Sequence, residues 1–416
     1  MARSFLPFAL PSIGEEEISE VVETLRSGWI TTGPRAQRFE KEFAQYVGCK
    51  HAIAVNSCTA ALHLGLHAVG LKPGDRVITT PFTFAATAEV IHYFGAEPIF
   101  VDIDARTLNI DPEAIRDRLK KERRKERVKA IIPVHIGGHP CDMDSILEIA
   151  RPYELKMVED AAHALPTRYK GRMVGTIGDI TAFSFYANKN ITTGEGGMAA
   201  TDNDEYAAAM QVMRLHGISR DSWKRYTAGG NWYYEIHQPG FKYNLTDIAA
   251  AIGIHQLKKC DQFRKRREEI ARTYHQGFAQ IEEISLPSWD FDCPDVGEKN
   301  GMQHAWHLYL IRLNRKKMTI TRGEFVEALR QRRIGTSVHF IPLHMQPFYR
   351  ERYGYRDRDF PNARAAYEGI VSLPIYPKMT DVDVNYVVSA IKEIVRVHGK
   401  QFPIGSYHRK ETEVSL

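Results

Sequence analysis

Short apolar runs alternate with amphipathic stretches along the first 200 residues. The apolar runs are nearly continuous, which is typical of strands buried on both faces of a sheet. The stretches between them repeat apolar residues at helical spacing, beginning with Ile18, Val21, Val22 and Leu25. We predict strands at residues 52–55, 76–79, 98–101, 130–134, 157–159 and 180–185 and helices at 14–26, 39–46, 59–69 and 85–94. This alternation predicts an α/β protein with a mostly parallel sheet covered by helices.

The pattern changes after residue 245. Residues 246–281 repeat apolar positions at helical spacing, and Thr246 stands at the N-cap position. We predict this segment as one long helix, followed by a loop at 287–301, strands at 306–313 and 336–340, helices at 322–332, 362–371 and 381–397, and a polar tail after 399. The chain therefore divides into a large domain at 1–250 and, at 251–416, a connecting helix with a smaller C-terminal α+β domain.

Composition narrows the class of protein. The chain has 416 residues, of which 43% are hydrophobic and 26% charged, and its net charge is +5. This balance is ordinary for a globular protein and does not favour nucleic acid as a partner. Five scattered cysteines favour reduced thiols over a disulfide framework or a zinc site. Pro7 and Pro11 interrupt the N-terminal apolar stretch, and no run has the length of a membrane span. We expect a cytoplasmic protein.

One lysine follows an apolar run into a loop of small and polar residues. Lys189 lies in the stretch SFYANKNITTGEGG, which begins at Ser184. An earlier apolar run ends at Asp160. A lysine for a Schiff base and an acid for a pyridinium nitrogen are the two protein groups that pyridoxal 5′-phosphate (PLP) chemistry requires. The glycines allow close backbone approach to a bound ring, and Ser184 can bind phosphate.

Other polar and aromatic residues fall at predicted strand ends in chain order. Ser57 and Thr59 open a predicted helix, whose free N–H groups can hold a phosphate. Phe84 can stack on a flat ring, and His163 can hydrogen-bond the phenolic oxygen of PLP. Each has a structural alternative, since Ser57, Thr59 and Asp160 can be helix N-caps and the two rings can be core residues. Together they predict one PLP site.

These segments resemble the DegT/DnrJ/EryC1/StrS family of PLP-dependent sugar aminotransferases. The resemblance extends from about residue 6 to residue 397 and rests on SGWITTGP from Ser27, NSCTAAL from Asn56, EDAAH from Glu159, the lysine stretch, and GFKYNLTD from Gly240. It implies the aspartate aminotransferase fold (fold type I), with a mostly parallel seven-stranded sheet sandwiched by helices and a smaller C-terminal domain. It also implies a homodimer with shared active sites.

The resemblance assigns a role to each matching residue. Lys189 is expected to form the Schiff base and move the proton, Asp160 to pair with the ring nitrogen, and His163 to pair with the phenolic oxygen. Phe84 is expected to stack on the ring. The phosphate ligands that the resemblance implies are Ser57, Thr59, Ala60 and Ser184, with Asn244 from the neighbouring subunit. The implied substrate contacts are Trp29, Thr31, Thr32, His339 and His344.

Two positions depart from the common family pattern. Cys58 stands where the family often has glycine, which makes the phosphate cradle tighter. His163 stands where many members have glutamine, and its protonation state can change the pH response of the cofactor. Lys189 excludes the dehydrating branch of the family, in which a histidine replaces this lysine.

The implied activity is transfer of an amino group from an amino acid to a keto-sugar nucleotide. The resemblance implies L-glutamate as the amino acid. A 4-keto-6-deoxyhexose is the expected sugar, for a surface polysaccharide or a glycosylated product. Two alternatives stay open: a PLP-binding regulatory protein without turnover, and another fold-type-I enzyme acting on an amino acid. We expect the cofactor to alternate between PLP and its amine form, PMP, without a metal, nucleic acid or membrane partner.

Overall fold

A computed structural model describes residues 4–218, 233–236, 238–289, 291 and 301–400. Its larger sheet has seven strands in the order β1-β9-β8-β5-β4-β2-β3. Strand β9 is antiparallel to both neighbours, and the pairs from β8 to β3 are parallel. The strands are β1 (His51–Val55), β2 (Arg76–Thr79), β3 (Glu97–Phe100), β4 (Val128–Ile131), β5 (Lys156–Asp160), β8 (Ile180–Ser184) and β9 (Gly197–Thr201).

Helices cover this sheet, so its strands are buried almost throughout. The helices of this part are α1 (Glu15–Ser27), α2 (Pro34–Val47), α3 (Cys58–Ala68), α4 (Ala86–His92), α5 (Pro112–Lys121), α6 (Met143–Ala150), α7 (Asp204–Met213) and α8 (Asp247–Lys258). Ser57 caps α3 through its side chain, and Thr246 caps α8 in the same way. The strand ends Thr79, Asp160 and Ser184 share one sheet edge because β2, β5 and β8 point the same way. Open α/β sheets bind ligands at that edge.

A second hydrophobic core surrounds a three-stranded antiparallel sheet in the order β10-β11-β12. Its elements are α9 (Cys260–Phe278), β10 (Ile284–Ser285), β11 (Tyr309–Leu313), α10 (Arg322–Gln331), α11 (Pro347–Tyr353), α12 (Pro361–Gly369), β12 (Ile370–Leu373) and α13 (Asp381–His398). Leu6, from the start of the chain, is also a member of this core. A short hairpin of β6 (Arg168–Tyr169) and β7 (Arg172–Met173) completes the strands of the described residues.

The mostly parallel sheet and its helical cover are confirmed, as are the six predicted strands of the larger sheet. The seven strands that the resemblance implies are also confirmed, but the position of the seventh, β9, was not predicted. The long helix predicted at 246–281 is two helices, because the chain breaks at Lys259. The domain boundary near residue 250 stays a prediction. The tail beyond 400 and most of the predicted loop at 287–301 lie outside the described residues.

The strand predicted at 336–340 is wrong. This segment makes a single bridge, between Ser337 and Ser372, and its other residues are irregular. The third strand of the small sheet is instead β12, which begins where α12 ends at Gly369. A Cβ at Gly369 would lie 2.7 Å from the carbonyl oxygen of Leu313, so the missing side chain lets this junction pack on β11. In the described part of the chain, no helix combines the length and the apolar character needed to cross a bilayer.

Candidate active site

Lys189 lies in a tight turn just beyond the end of β8. Its backbone N–H donates to the carbonyl oxygen of Tyr186 over 2.9 Å, and a bridge between Tyr186 and Gly194 closes the loop. The side chain is half-buried. Burial lowers the pKa of its ammonium group to about 8, against the opposite influence of the Asp160 carboxylate. An amine with this pKa can both receive and return a proton near neutral pH.

Asn190 fixes the position of this turn. Its amide Nδ2 donates to the carbonyl oxygens of Leu165 and Ala305, both at 2.8 Å. Because both protons of the amide point to carbonyls, its Oδ1 accepts the third bond, from Nδ1 of His307 at 3.2 Å. Asn190 is almost fully buried. The residue after the lysine is therefore held from three directions.

Asp160 ends β5 on the same sheet edge and is buried. Thr87 donates its hydroxyl to Oδ2 over 2.7 Å, and the N–H of Ala162 donates to Oδ1 over 3.1 Å. Burial raises the pKa of the carboxyl, while these two donors and the charge of Lys189 act to lower it. A carboxylate with two donors can stay ionised in a dry site and pair with a cationic ring nitrogen.

His163 presents one defined tautomer. The backbone N–H of Gly137 donates to Nδ1 over 3.2 Å, so the proton of the neutral ring is on Nε2. Burial holds the pKa of the imidazole well below its usual range, with a further contribution from Lys189. The ring stacks on Phe340 with centroids 5.9 Å apart and planes at 10°. His163 is thus a neutral hydrogen-bond donor, as a phenolic oxygen requires.

Two further rings frame the cleft. Phe84 is exposed over 64% of its surface and lies 6.2 Å from Phe340, so one face is open to a planar ligand. His339 stands edge-on to His163 at 6.5 Å and bonds Ser372 through Nδ1 at 2.8 Å. Burial and then the charge of Lys189 lower the pKa of His339 to about 4. It is therefore neutral in the conditions where the lysine titrates.

The predicted phosphate site lies where the ends of β1, β9 and β8 pair with one another. Gly197 of β9 pairs with Val55 of β1 on one side and with Ser184 of β8 on the other. This pairing of Val55, Gly197 and Ser184 brings Ser184 beside the start of α3. There the N–H of Ala60 donates to the side-chain oxygen of Ser57 over 3.1 Å. The N–H groups of Cys58 and Thr59, which come before Ala60 in the first turn, have no partner within the helix and suit an anion, whereas the N–H of Ala61 donates to the carbonyl oxygen of Ser57.

Gly197 is required for this site. A Cβ there would lie 2.5 Å from the carbonyl carbon of Ser57 and 2.7 Å from the nitrogen of Cys58. The turn at Ser57 and Cys58 therefore packs directly on the backbone of β9.

Cys58 itself is near Asp160 and Lys189, and burial raises the pKa of its thiol well above the usual range. The side chain that departs from the family pattern is an uncharged thiol beside the reacting groups.

The remaining predicted residues form a second group beyond β1. Thr32 donates its hydroxyl to the carbonyl oxygen of Leu245 at 2.5 Å and accepts from the amide of Asn244 at 2.5 Å. The indole of Trp29 donates to the carbonyl oxygen of Thr32 at 3.0 Å, and Thr31 accepts from the N–H of Asp247 at 3.0 Å. These contacts join Trp29, Thr32 and Asn244 to one another and Thr31 to Asp247, and none of them involves Lys189.

His344 does not reach the cleft. Its side chain is fully buried, and its ring packs against Phe360 with centroids 4.7 Å apart. The short turn at Leu343–Met345 directs it into the protein. The sequence predicted a substrate contact here, whereas the structure gives His344 a packing position.

A cavity of about 960 Å³ opens beside Phe84 and Phe340. Its wall is mostly apolar and includes five phenylalanine and tyrosine side chains; within the described residues it contains one carboxylate and no lysine or arginine. Two polar atoms on residues of this wall, Oη of Tyr349 and Nε2 of His92, are buried without a hydrogen-bond partner in the described part of the protein. Both atoms are enclosed by protein and do not face the open space of the cavity.

The comparison with known proteins agrees with this arrangement. The family model for DegT/DnrJ/EryC1/StrS aminotransferases matches residues 11–392. The chain belongs to this family.

Individual relatives of the family match over nearly full length. Spore coat polysaccharide biosynthesis protein SpsC of Bacillus subtilis is 52% identical over 393 residues, which cover 94% of this chain and 97% of SpsC. The uncharacterized protein MJ1066 of Methanocaldococcus jannaschii is 57% identical over 94% of this chain and 98% of its own. Among solved structures, Spr1654 of Streptococcus pneumoniae in its PMP form has a TM-score of 0.85 and 33% identity, over 94% of this chain and 99% of that one.

PLP is the cofactor of the family, and the residues of this chain fit it. Lys189 would supply the amine, Asp160 an anion for the ring nitrogen, and His163 a donor for the phenolic oxygen. Phe84 would offer a ring face, and the start of α3 beside Ser184 would offer N–H and hydroxyl groups for the phosphate. The close packing of β9 on the start of α3 depends on Gly197, where a Cβ would meet the backbone of Ser57. Spr1654 has been solved in a PLP form and in a PMP form.

Sequence reasoning missed several residues that hold this site together. Thr87 was assigned no role, although its spacing from Phe84 puts it in the first turn of a predicted helix. Asn190 follows the lysine and was assigned no role. His307 and Phe340 come from the second half of the chain, and no local pattern links them to the lysine. Only the tertiary fold brings them to His163.

Proposed function

We propose that this protein is a PLP-dependent aminotransferase that moves an amino group from an amino acid to a keto-sugar nucleotide. L-Glutamate is the proposed donor and a 4-keto-6-deoxyhexose the proposed sugar. The observation that carries the proposal is the convergence of Lys189, Asp160 and His163 at one sheet edge, where burial lowers the pKa of the Lys189 amine to about 8 and the N–H of Gly137 leaves His163 free to donate through Nε2. The relation to SpsC supports a product used in a polysaccharide.

The bound cofactor supplies an electron sink for the carbon that loses its proton. Residues of the chain supply the proton transfer and the charges that stabilise the cofactor. The amine of Lys189 would take a proton from the donor carbon in the first half-reaction and deliver a proton to the acceptor carbon in the second, which its pKa of about 8 allows. The Asp160 carboxylate holds a positive charge at the ring nitrogen, and Nε2–H of His163 holds a negative charge at the phenolic oxygen. Three neutral histidines, His163, His307 and His339, leave the lysine as the group that titrates near pH 8.

The cavity beside Phe84 supports an extended acceptor substrate. Its volume of about 960 Å³ exceeds what an amino acid fills and is at the upper end of ordinary ligand pockets. Aromatic side chains on its wall, such as Phe348 and Tyr93, can stack on a nucleobase. A fold-type-I enzyme acting only on amino acids has no use for this space, so the cavity favours the nucleotide-linked sugar.

We further propose a homodimer with shared sites. The second group of predicted residues, Thr32 and Asn244 with Trp29, lies beyond the edge strand β1 and is bonded within itself. An edge position on the sheet is where a second subunit can meet it. In this arrangement Asn244 of one subunit serves the phosphate of the other.

The test is a screen of keto-sugar nucleotides with L-glutamate and the purified protein, following release of 2-oxoglutarate and formation of the amino sugar. Lys189→Ala is the control. We expect turnover with at least one 4-keto-6-deoxyhexose nucleotide and none in the control. PLP binding without amine transfer to any sugar would contradict the proposal and support a regulatory protein. Turnover restricted to amino acids would support the other enzyme class.

A further inference from the structure

The acid that faces the ring nitrogen is supported by two buried hydroxyls. Thr87 donates to Oδ2 of Asp160 over 2.7 Å, and Thr83 lies 2.7 Å from Thr87, hydroxyl oxygen to hydroxyl oxygen. Thr83 is 1% exposed and Thr87 is 0% exposed. Because water does not reach these oxygens, no solvent hydrogen bond can replace either contact.

The direction of the hydrogen bonds follows from the number of protons. Thr87 has one hydroxyl proton, and an ionised carboxylate can only accept. The proton of Thr87 is therefore committed to Asp160, and Thr83 must donate its own proton to Thr87. The chain of hydroxyls has one direction, from Thr83 through Thr87 to the carboxylate.

The same turn carries the stacking ring. Phe84 follows Thr83 directly and is exposed to the cleft, whereas the hydroxyls of Thr83 and Thr87 are buried and bonded to each other. Thr83 also lines the cavity beside Phe84. One segment of the chain thus carries both Phe84, which can stack on the cofactor ring, and Thr87, which holds the carboxylate of Asp160. The distance between these two contacts is therefore set by the turn at residues 83–87.

We propose that Thr87, oriented by Thr83, is a positioning residue that fixes the rotamer of Asp160 and keeps its carboxylate ionised toward the cofactor nitrogen. The inference rests on the proposed PLP chemistry. Without the Thr87 hydroxyl, Oδ2 of Asp160 has no protein donor among the described residues. A buried carboxylate in that state lowers its free energy by taking up a proton, and it then no longer stabilises a positive ring nitrogen.

The variants that test this are Thr87→Val, which keeps the shape and removes the hydroxyl, Thr87→Ser, which keeps the hydroxyl, and Thr83→Val. Thr181→Val is the matched control, because Thr181 is an equally buried threonine that donates to the adjacent carboxylate, Glu159, over 2.8 Å. Glu159 points to His135 rather than to the cleft. The readouts are the pH titration of the visible absorbance of bound PLP, the PLP dissociation constant, kcat and KM.

We expect Thr87→Val to shift the absorbance titration and to lower kcat about 10- to 100-fold with little change in KM, which is the range for a hydrogen bond to a charged group. Thr87→Ser should keep the wild-type absorbance titration and kcat. Thr83→Val should change the titration and kcat in the same direction as Thr87→Val, but by less. Thr181→Val changes thermal stability and leaves the titration unchanged.

A wild-type titration in Thr87→Val, or equal damage in Thr87→Ser, would overturn the inference. The absorbance and PLP-affinity readouts need no sugar substrate. An error in the proposed acceptor therefore leaves them informative, while a wild-type protein that binds no PLP contradicts both proposals.

Discussion

The backbone N–H of Gly137 lies 3.2 Å from Nδ1 of His163 and determines which nitrogen of that ring carries the proton. Gly137 has a φ of +63°, a conformation that glycine adopts without strain, and its backbone places the donor under the ring. A glutamine amide, common in the family at this position, presents an N–H donor without needing such a partner. The histidine of this chain reaches the same donor chemistry through a backbone contact.

His163→Gln should therefore keep activity, with kcat within about threefold of wild type, because the hydrogen bond to the phenolic oxygen survives. His163→Leu removes the donor and should lower kcat about tenfold or more. Burial keeps the pKa of His163 well below its usual range, so this residue adds no inflection to the pH profile near the ordinary histidine pKa of about 6.5. Steady-state kinetics from pH 5 to 9 for the three proteins checks this. An inflection near pH 6.5 that disappears in His163→Gln would contradict the lowered pKa.

Lys189 should control the pH dependence of the donor half-reaction. Burial lowers its pKa to about 8, so the free amine is mostly protonated below that pH and mostly neutral above it. Only the neutral amine accepts a proton, and the single-turnover rate with L-glutamate should rise with pH and level off above about 8. Lys189→Ala should show no turnover and no covalent label after borohydride trapping. A label on another residue, or a rising limb near pH 10, would contradict the assignment.

Gly197→Ala should damage the phosphate cradle. The new Cβ meets the backbone of Ser57 and Cys58, which cannot rotate away, so α3 must shift. Overpacking of this kind costs about 1–3 kcal/mol of unfolding free energy, and PLP affinity should fall with it. Gly323→Ala is the control, because its nearest atom would be 3.8 Å away on an exposed helix. Thermal unfolding and PLP titration of both variants provide the measurement; equal behaviour would show that β9 and α3 are not in close contact.

Tyr349→Phe should separate stability from substrate binding. The Tyr349 hydroxyl is buried without a hydrogen-bond partner among the described residues, so removing it should leave the free protein as stable or more stable by about 1 kcal/mol. Because the hydroxyl is enclosed in the cavity wall, kcat and KM for the nucleotide sugar should stay within about twofold of wild type. Tyr353→Phe, one turn later on α11, is the control outside the cavity wall. A KM raised about tenfold in Tyr349→Phe alone would show that the hydroxyl binds the substrate.

Complementation should test the shared site. Lys189→Ala and Asn244→Ala homodimers are expected to be inactive and strongly impaired, respectively. If Asn244 serves the neighbouring subunit, a mixed dimer contains one site with both native residues. Random mixing places half of the chains in mixed dimers, so about a quarter of wild-type turnover should return. If Asn244 serves the site of its own chain, no mixed dimer has an intact site and turnover does not recover.

The reacting groups could be predicted from the sequence because each follows a recognisable strand. Lys189 and Asp160 come directly after apolar runs, and parallel strands bring such ends together. β9 was missed because Gly197 and the alanines after it have low strand propensity; complete burial between β1 and β8 outweighs that preference. His344 was assigned to the substrate on its place in a segment, and segment position does not reveal which way a side chain points. Thr87 and His307 depend on contacts between distant parts of the chain.

Asn190 has a consequence for how the two cores of the protein communicate. Its amide bonds Leu165 in the first half of the chain and Ala305 in the second, and its oxygen holds His307. A rotation of the second core relative to the first would strain these three bonds, which hold the residue that follows Lys189. Any such rotation would therefore act on the backbone from which the lysine side chain extends.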